Sequence, residues 1–120
     1  MKFREHITKK GTLVLGGKSA QNNEELIKQI EPNEVVLHTE KPGSPFVNIK
    51  GKPKFGDVKE AAIFCARYSQ DYRDNKSDVV IHQFKGRDIS KDRKMKLGMF
   101  GVRNIKKIKI KKKWIEGFLK

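Results

Sequence analysis

At 120 residues, with 36% hydrophobic and 35% charged side chains, the chain has the length of one compact domain. Its longest apolar runs fall far short of the ~20 residues a membrane-spanning helix needs. One cysteine, Cys65, excludes an internal disulfide framework and a multi-cysteine zinc site. The formal net charge is +14, and residues 85–120 hold 14 Lys+Arg against 3 Asp+Glu, a net +11 that points to a polyanion, with nucleic acid the first candidate.

Residues 12–15 form a β-branched and aliphatic run between Gly11 and Gly16-Gly17, the pattern of a strand bounded by turns. A short amphipathic helix follows. Asn22 with Glu25 three residues on resembles a capping box, Leu26, Ile27 and Ile30 give the apolar face, and Pro32 ends it. Residues 34–38 and 45–50 read as two further strands joined by the polar loop 39–44. Asp57 reads as the N-cap of the longest helix, with Glu60 at its third position and an apolar density from Ala61 to Tyr68 that implies burial on more than one face.

Residues 78–84 carry Val79, Val80 and Ile81 at the centre of another strand, and residues 86–94 are a polar connection. Two more extended segments are expected. Met95, Leu97 and Met99 alternate with Lys96 and Gly98, and Ile108 and Ile110 alternate with Lys107, Lys109 and Lys111. Because successive strand side chains face opposite ways, the isoleucines can enter the core while those lysines share one exposed face. The run Lys111 to Lys113 is expected to fray, with Trp114, Ile115, Phe118 and Leu119 docking as a terminal amphipathic turn. The order β-α-β-β-α-β-β-β predicts an α+β domain over residues 1–120, a mixed or antiparallel sheet with two main helices, and a basic segment at 103–120. With no apolar segment of signal-peptide type at the N-terminus, a cytoplasmic location is expected.

The stretch Leu15-Gly16-Gly17-Lys18-Ser19-Ala20-Gln21-Asn22-Asn23-Glu24-Glu25-Leu26 resembles the opening motif of the NFACT-R domain, the predicted RNA-binding module of NFACT proteins. Further matches follow in order: Leu37-His38-Thr39 with Pro42-Gly43-Ser44-Pro45, then Glu60-Ala61-Ala62 leading to Ala66-Arg67-Tyr68-Ser69. Asp78-Val79-Val80, Ile89-Ser90-Lys91 and the Gly-centred Leu97-Gly98-Met99-Phe100-Gly101 complete the series. The resemblance covers nearly the whole chain and is to the final domain of the multidomain members. It implies an RNA partner, ribosomal or transfer RNA, with the large ribosomal subunit as a candidate, and a translation, ribosome-quality-control or RNA-processing context. The tailing of trapped nascent chains by some long members is not carried over, since the chain lacks room for their other domains. Pro42 stands where many long members have a second histidine, so a role for paired imidazoles in that loop is not carried over either.

Spaced cations on an extended element can meet phosphates along a strand, which makes Arg103, Lys106, Lys107, Lys109, Lys111, Lys112 and Lys113 the first candidate surface, with Arg93, Lys94 and Lys96 widening it. The bland alternative is a solvated basic face. Gly16-Gly17-Lys18 ahead of the Asn22/Asn23 helix start can cradle a phosphate at the positive end of a helix dipole, or can be only a strand-to-helix turn. His38, with Lys41 and Ser44 of the following loop, can touch a base or ribose, or can hold the loop by hydrogen bonds. Lys91 joins the candidate set from the polar connection. Tyr72 is the candidate for base stacking, and Tyr68 is assigned to core packing. Cys65 reads as a small core residue. No spacing among His6, His38 and His82 resembles a metal site, and no cofactor is expected.

These features predict a non-catalytic RNA-binding adaptor with no membrane contact. Two other classes remain: an RNA-modifying or cleaving enzyme with His38 as general base near Lys91 or Glu40, and a protein-interaction module that offers its basic surface to an acidic partner. DNA also stays open, because charge alone does not read the 2′-hydroxyl.

Overall fold

A computed structural model describes residues 2–118 of the chain, and the docking of Leu119 expected above lies outside them. The chain opens on a hairpin, β1 (Arg4–Ile7) and β2 (Leu13–Gly16), closed by a turn in which Gly11 has φ +86°. β1 has one aliphatic residue among three polar ones, so it carries no strand signal of its own; pairing with β2 makes it a strand. α1 (Ala20–Lys28) follows, then β3 (Val35–Thr39), β4 (Val47–Ile49) and α2 (Asp57–Arg67). α3 (Gln70–Asn75), β5 (Val79–Lys85), β6 (Ile89–Ser90), β7 (Gly101–Val102), β8 (Lys106–Ile110) and α4 (Lys112–Phe118) complete the order.

Six strands form one sheet in the order β1-β2-β4-β3-β5-β8, every pair antiparallel, and β6 with β7 forms a separate two-stranded arm. The fold is α+β. Strand alternation divides the core into two. Val14, Leu37, Val47, Ile49, Ile81 and Ile110 face α2 and α4, where they pack on Ala61, Ala62, Phe64, Cys65 and Ile115. Leu15, Val36, Phe46 and Phe84 face the other way and are covered by Leu26 of α1 and by Phe100 and Val102 of the arm. Burial of each such Leu, Ile, Val or Phe contributes about 1.5–3 kcal/mol, so covering both faces is what a chain with this polar a composition needs in order to fold.

Side-chain polar groups set the helix boundaries in ways that sequence spacing misplaces. α1 is capped by Ser19, whose hydroxyl accepts the Asn22 N–H at 3.1 Å, and not by Asn22; Glu25 pairs with Lys28 instead of capping. Asn22 turns back to accept the Lys18 N–H at 2.8 Å. At α2 the cap position is Gly56, φ +88°, and Asp57 accepts the Lys54 N–H at 2.7 Å from within the first turn. Glu60 is drawn away from capping because its carboxylate meets the His6 ring and the Lys9 N–H, tying α2 to the β1–β2 turn. Ser69 then starts a separate helix, capping α3 with a 3.1 Å bond from the Tyr72 N–H.

Two extended or frayed segments are corrected. Residues 95–99 form an arch, not a strand: the Lys91 ammonium donates to the carbonyls of Lys96 (2.6 Å) and Met99 (2.8 Å) and to Glu24 (2.7 Å), and Gly98 turns with φ +82°. These bonds hold the arch against α1. Lys111 to Lys113 do not fray as a run, because Lys112 begins α4 with its N–H bonded to Asp78 at 2.8 Å and Ile115 fully buried.

Cys65 is fully buried between α2 and the sheet, and burial pushes its thiol well above the ordinary range. Only the thiolate attacks alkylating reagents. At pH 8 the folded protein is therefore expected to resist iodoacetamide and to become labelled only as urea unfolds it, which mass spectrometry across the transition checks; full labelling of the folded protein would place the thiol at the surface.

Candidate nucleic-acid interface

The motif segments that are far apart in sequence meet at one cleft of about 540 Å³. Its walls are the Gly17–Ala20 turn into α1, the Pro42–Phe46 turn between β3 and β4, and the arch at Leu97–Phe100, with Arg4, Tyr68 and Arg73 at the rim. Glycines permit the close approaches. A Cβ on Gly17 would stand 1.8 Å from the Asn23 Oδ1, and one on Gly98 would stand 2.8 Å from the Ala20 Cβ. Asn23 accepts the Phe46 N–H at 3.1 Å and so fastens α1 to the edge of β4. Its side chain is 8% exposed, and it shapes the cleft from behind.

The floor is aromatic. The Phe46 ring, 4% exposed, has His38 at 4.4 Å and Phe100 edge-on at 5.3 Å. The His38 Nδ1 lies 2.8 Å from the Thr39 carbonyl, which can only accept, so Nδ1 carries the proton and Nε2 is left as an acceptor. Burial holds the His38 pKa below its ordinary 6.5, with His82 adding to the effect and the Thr39 carbonyl opposing it. Ser44 is occupied in the turn, where its hydroxyl accepts the Thr39 N–H at 3.1 Å.

Cross-strand register extends this floor toward the sheet edge. His38 of β3 stands opposite His82 of β5, which stands opposite Lys107 of β8. Lys109 shares that face two residues on. Glu40 lies beneath the row, 2.8 Å from the Lys107 Nζ and 3.3 Å from the His82 Nε2, and the Lys107 ammonium, then His82, holds its carboxyl below the usual range. An imidazole pair thus forms across β3 and β5, and not within the 39–44 loop, where Pro42 stands.

The C-terminal cations do not gather into one ridge. Lys107 and Lys109 face the cleft side, whereas the alternation of β8 turns Lys106 to the opposite face beside Gln83. Arg103 approaches Asp88 at 3.9 Å, and Lys111 and Lys112 sit at the start of α4, near the Trp114 ring (5.6 Å) and Glu116 (3.9 Å). Lys109 has Asp78 at 3.8 Å. Exposed pairs of this kind contribute little and leave the ammonium groups accessible to phosphate. Arg93 and Lys94 are exposed just ahead of the arch, and Lys96 is exposed on it. Lys91, by contrast, is fully engaged in holding that arch, and Lys41 pairs with Asp71 at 3.6 Å on the outer side of its loop.

Tyr72 departs from the role expected of it, whereas Tyr68 packs against the core as expected and also reaches the cleft. Tyr72 is 5% exposed and packs in the core, so it offers no free ring face. Tyr68 lines the cleft, with the Arg4 guanidinium 3.9 Å above its ring and that of Arg67 at 5.0 Å. Arg4 also donates to the Gly17 carbonyl at 3.3 Å. Sequence reasoning missed Arg4 and His82 as cleft residues, and it assigned Tyr68 to packing alone. Only His82 had a findable signal, the register of two strands already identified. Neither Glu40 nor Lys91 meets His38, as each is bonded elsewhere. Among the described residues, no group of three or more His, Cys, Asp or Glu could hold a metal, and no helix is long and apolar enough to cross a membrane.

The sequence profile described as the NFACT protein RNA binding domain matches residues 2–104. No curated protein matches the chain. Among solved structures, the C-terminal part of the fibronectin/fibrinogen-binding protein from Streptococcus suis superimposes with a TM-score of 0.83 at 22% identity, over 92% of this chain and 45% of that one. The chain therefore spans under half the length of that structure, and the likeness is one of fold.

Two outcomes follow from the cleft geometry. Gly17→Ala, which forces a methyl into the Asn23 amide, is expected to cost about 1–3 kcal/mol in urea unfolding, and an unchanged midpoint would refute the close approach. Because the unfolded chain takes up a proton near pH 6.5 while folded His38 resists it, stability is retained above 6.5 and falls as pH drops from there toward the folded midpoint. Urea titrations stepped through that window are expected to show the fall in the native protein and a shallower one in His38→Gln.

Proposed function

This chain belongs to the NFACT protein RNA binding domain family, and from that premise we propose that it is a non-catalytic adaptor whose cleft receives an unpaired stretch of ribosomal or transfer RNA. The observation that carries this reading is the meeting of the Gly16–Asn23, Pro42–Phe46 and Leu97–Phe100 segments around an aromatic floor, with the His82–Lys107 row leading into it. A regular duplex keeps its bases stacked inside, whereas the recessed Phe46 and His38 suit a base splayed out of a loop or end. Phosphates on either side would lie against Lys18 and Arg73 at one rim and against Lys107 and Lys109 at the other.

In this reading phosphate contacts supply most of the affinity, and the cleft supplies the selectivity. His38 contributes an acceptor at Nε2 for a base N–H or a ribose hydroxyl, and Tyr68, already under the Arg4 guanidinium, contributes an amphipathic wall. The cytoplasm, within translation, ribosome quality control or RNA processing, is the setting proposed for this activity.

Neutralising the four phosphates that Lys18, Arg73, Lys107 and Lys109 would meet on a single strand gives a slope of log K against log salt of about −2.8. Fluorescence anisotropy with a labelled single-stranded oligoribonucleotide checks this. Lys18→Ala and Lys107→Ala are each expected to weaken binding and reduce the slope by about one contact, near 0.7. A slope near zero, or a Lys18→Ala variant that binds like the native protein, would remove the cleft from the interface. The matched DNA strand and duplex RNA are expected to bind more weakly than single-stranded RNA.

A further inference from the structure

A second concavity, of about 880 Å³, lies at the opposite end of α2, between the β1–β2 turn and α4. α2 has 11 residues, so its length puts about 16 Å between this groove and the Tyr68 end of the RNA cleft. Ile7, Ile63, Trp114 and Phe118 give it a mainly apolar lining, with Phe55 at the mouth and 93% exposed. An aromatic ring left this open beside a groove costs solvation that a partner would recover. Lys9, Lys10 and Lys59 ring the opening, and Lys59 lies 4.0 Å over the Trp114 ring. Among the described residues none of these three ammonium groups has a carboxylate within 4.0 Å. Of the acidic groups present, Glu60 is bonded to His6 and the Lys9 N–H, and Asp57 is buried at 1% exposure, accepting the Lys54 N–H, so neither reaches the rim lysines.

We propose that this groove docks an acidic peptide segment of a partner protein, whose apolar side chains fill the space beside Phe55 while its carboxylates meet Lys9, Lys10 and Lys59. The rim charge calls for an anion, and the walls decide which kind. A nucleotide would bring its base donors and acceptors against Ile7, Ile63, Trp114 and Phe118, which offer them few partners, at a cost. Aliphatic or aromatic side chains incur no such cost. Carboxylates on a flexible segment can reach exposed lysines at the rim.

Trp114 is the only tryptophan in the chain, so its emission reports on this groove alone. Titration with a synthetic peptide alternating Glu and Leu is expected to change that emission saturably, and Phe55→Ser to weaken the affinity at least about tenfold. Phe55 is so exposed that its loss leaves the core intact, and Phe55→Ser is expected to bind the oligoribonucleotide like the native protein. A Lys9→Gln/Lys10→Gln variant is expected to lose affinity for the peptide as well. No saturable change with the Glu/Leu peptide, an equal change with a Lys/Leu peptide, or displacement of the Glu/Leu peptide by the oligoribonucleotide would each overturn the proposal.

Discussion

The architecture turns on one hydrogen bond with no room around it. Asn23 in the first turn of α1 accepts the Phe46 N–H just ahead of β4, and its amide oxygen occupies the volume that any side chain at position 17 would need. A helix is thereby held at a fixed height over the middle of a six-stranded sheet. Everything in the cleft follows from that placement: the Phe46 ring is presented as its floor, and the first turn of α1 becomes the surface on which Gly98 and its arch rest. Glu24 takes the Gly98 N–H at 2.6 Å and the Lys91 ammonium at 2.7 Å, which holds its carboxyl below the usual range and closes the third wall.

What sequence made legible was whatever local pattern controls. The strands at residues 12–15, 34–38 and 78–84 announced themselves by β-branched runs between turns, and the isoleucines of β8 by alternation. What stayed hidden depended on distant partners. β1 became a strand because β2 offers it an edge, and the Met95–Met99 alternation failed to make one because Lys91 bends that segment into an arch. Ser19 and not Asn22 caps α1 because the Gly16-Gly17 turn sets where the helix begins, and spacing to an acidic residue carries no information on that turn.

Charge told a similar story at the site. A net +11 in the last 36 residues draws attention to the C-terminal segment, yet a strand sends alternate side chains to opposite faces. Lys106 and Lys107 therefore part company, and the turn into α4 carries Lys111 and Lys112 away again. The cations at the cleft rim come largely from the nearly balanced part of the chain: Arg4, Lys18 and Arg73. Linear clustering measures composition; register decides which of those charges share a surface. The same register brings His82 beside His38, a pairing that no spacing within either strand could reveal.

β8 ends the sheet, and an outermost strand leaves a row of backbone N–H and C=O groups open to any second chain. Three of its five residues are lysines. Two copies meeting along this border would bring like charges into register at the spacing of adjacent strands, less than 5 Å. The border thus carries its own deterrent against growth into a continuous sheet while its backbone groups stay open.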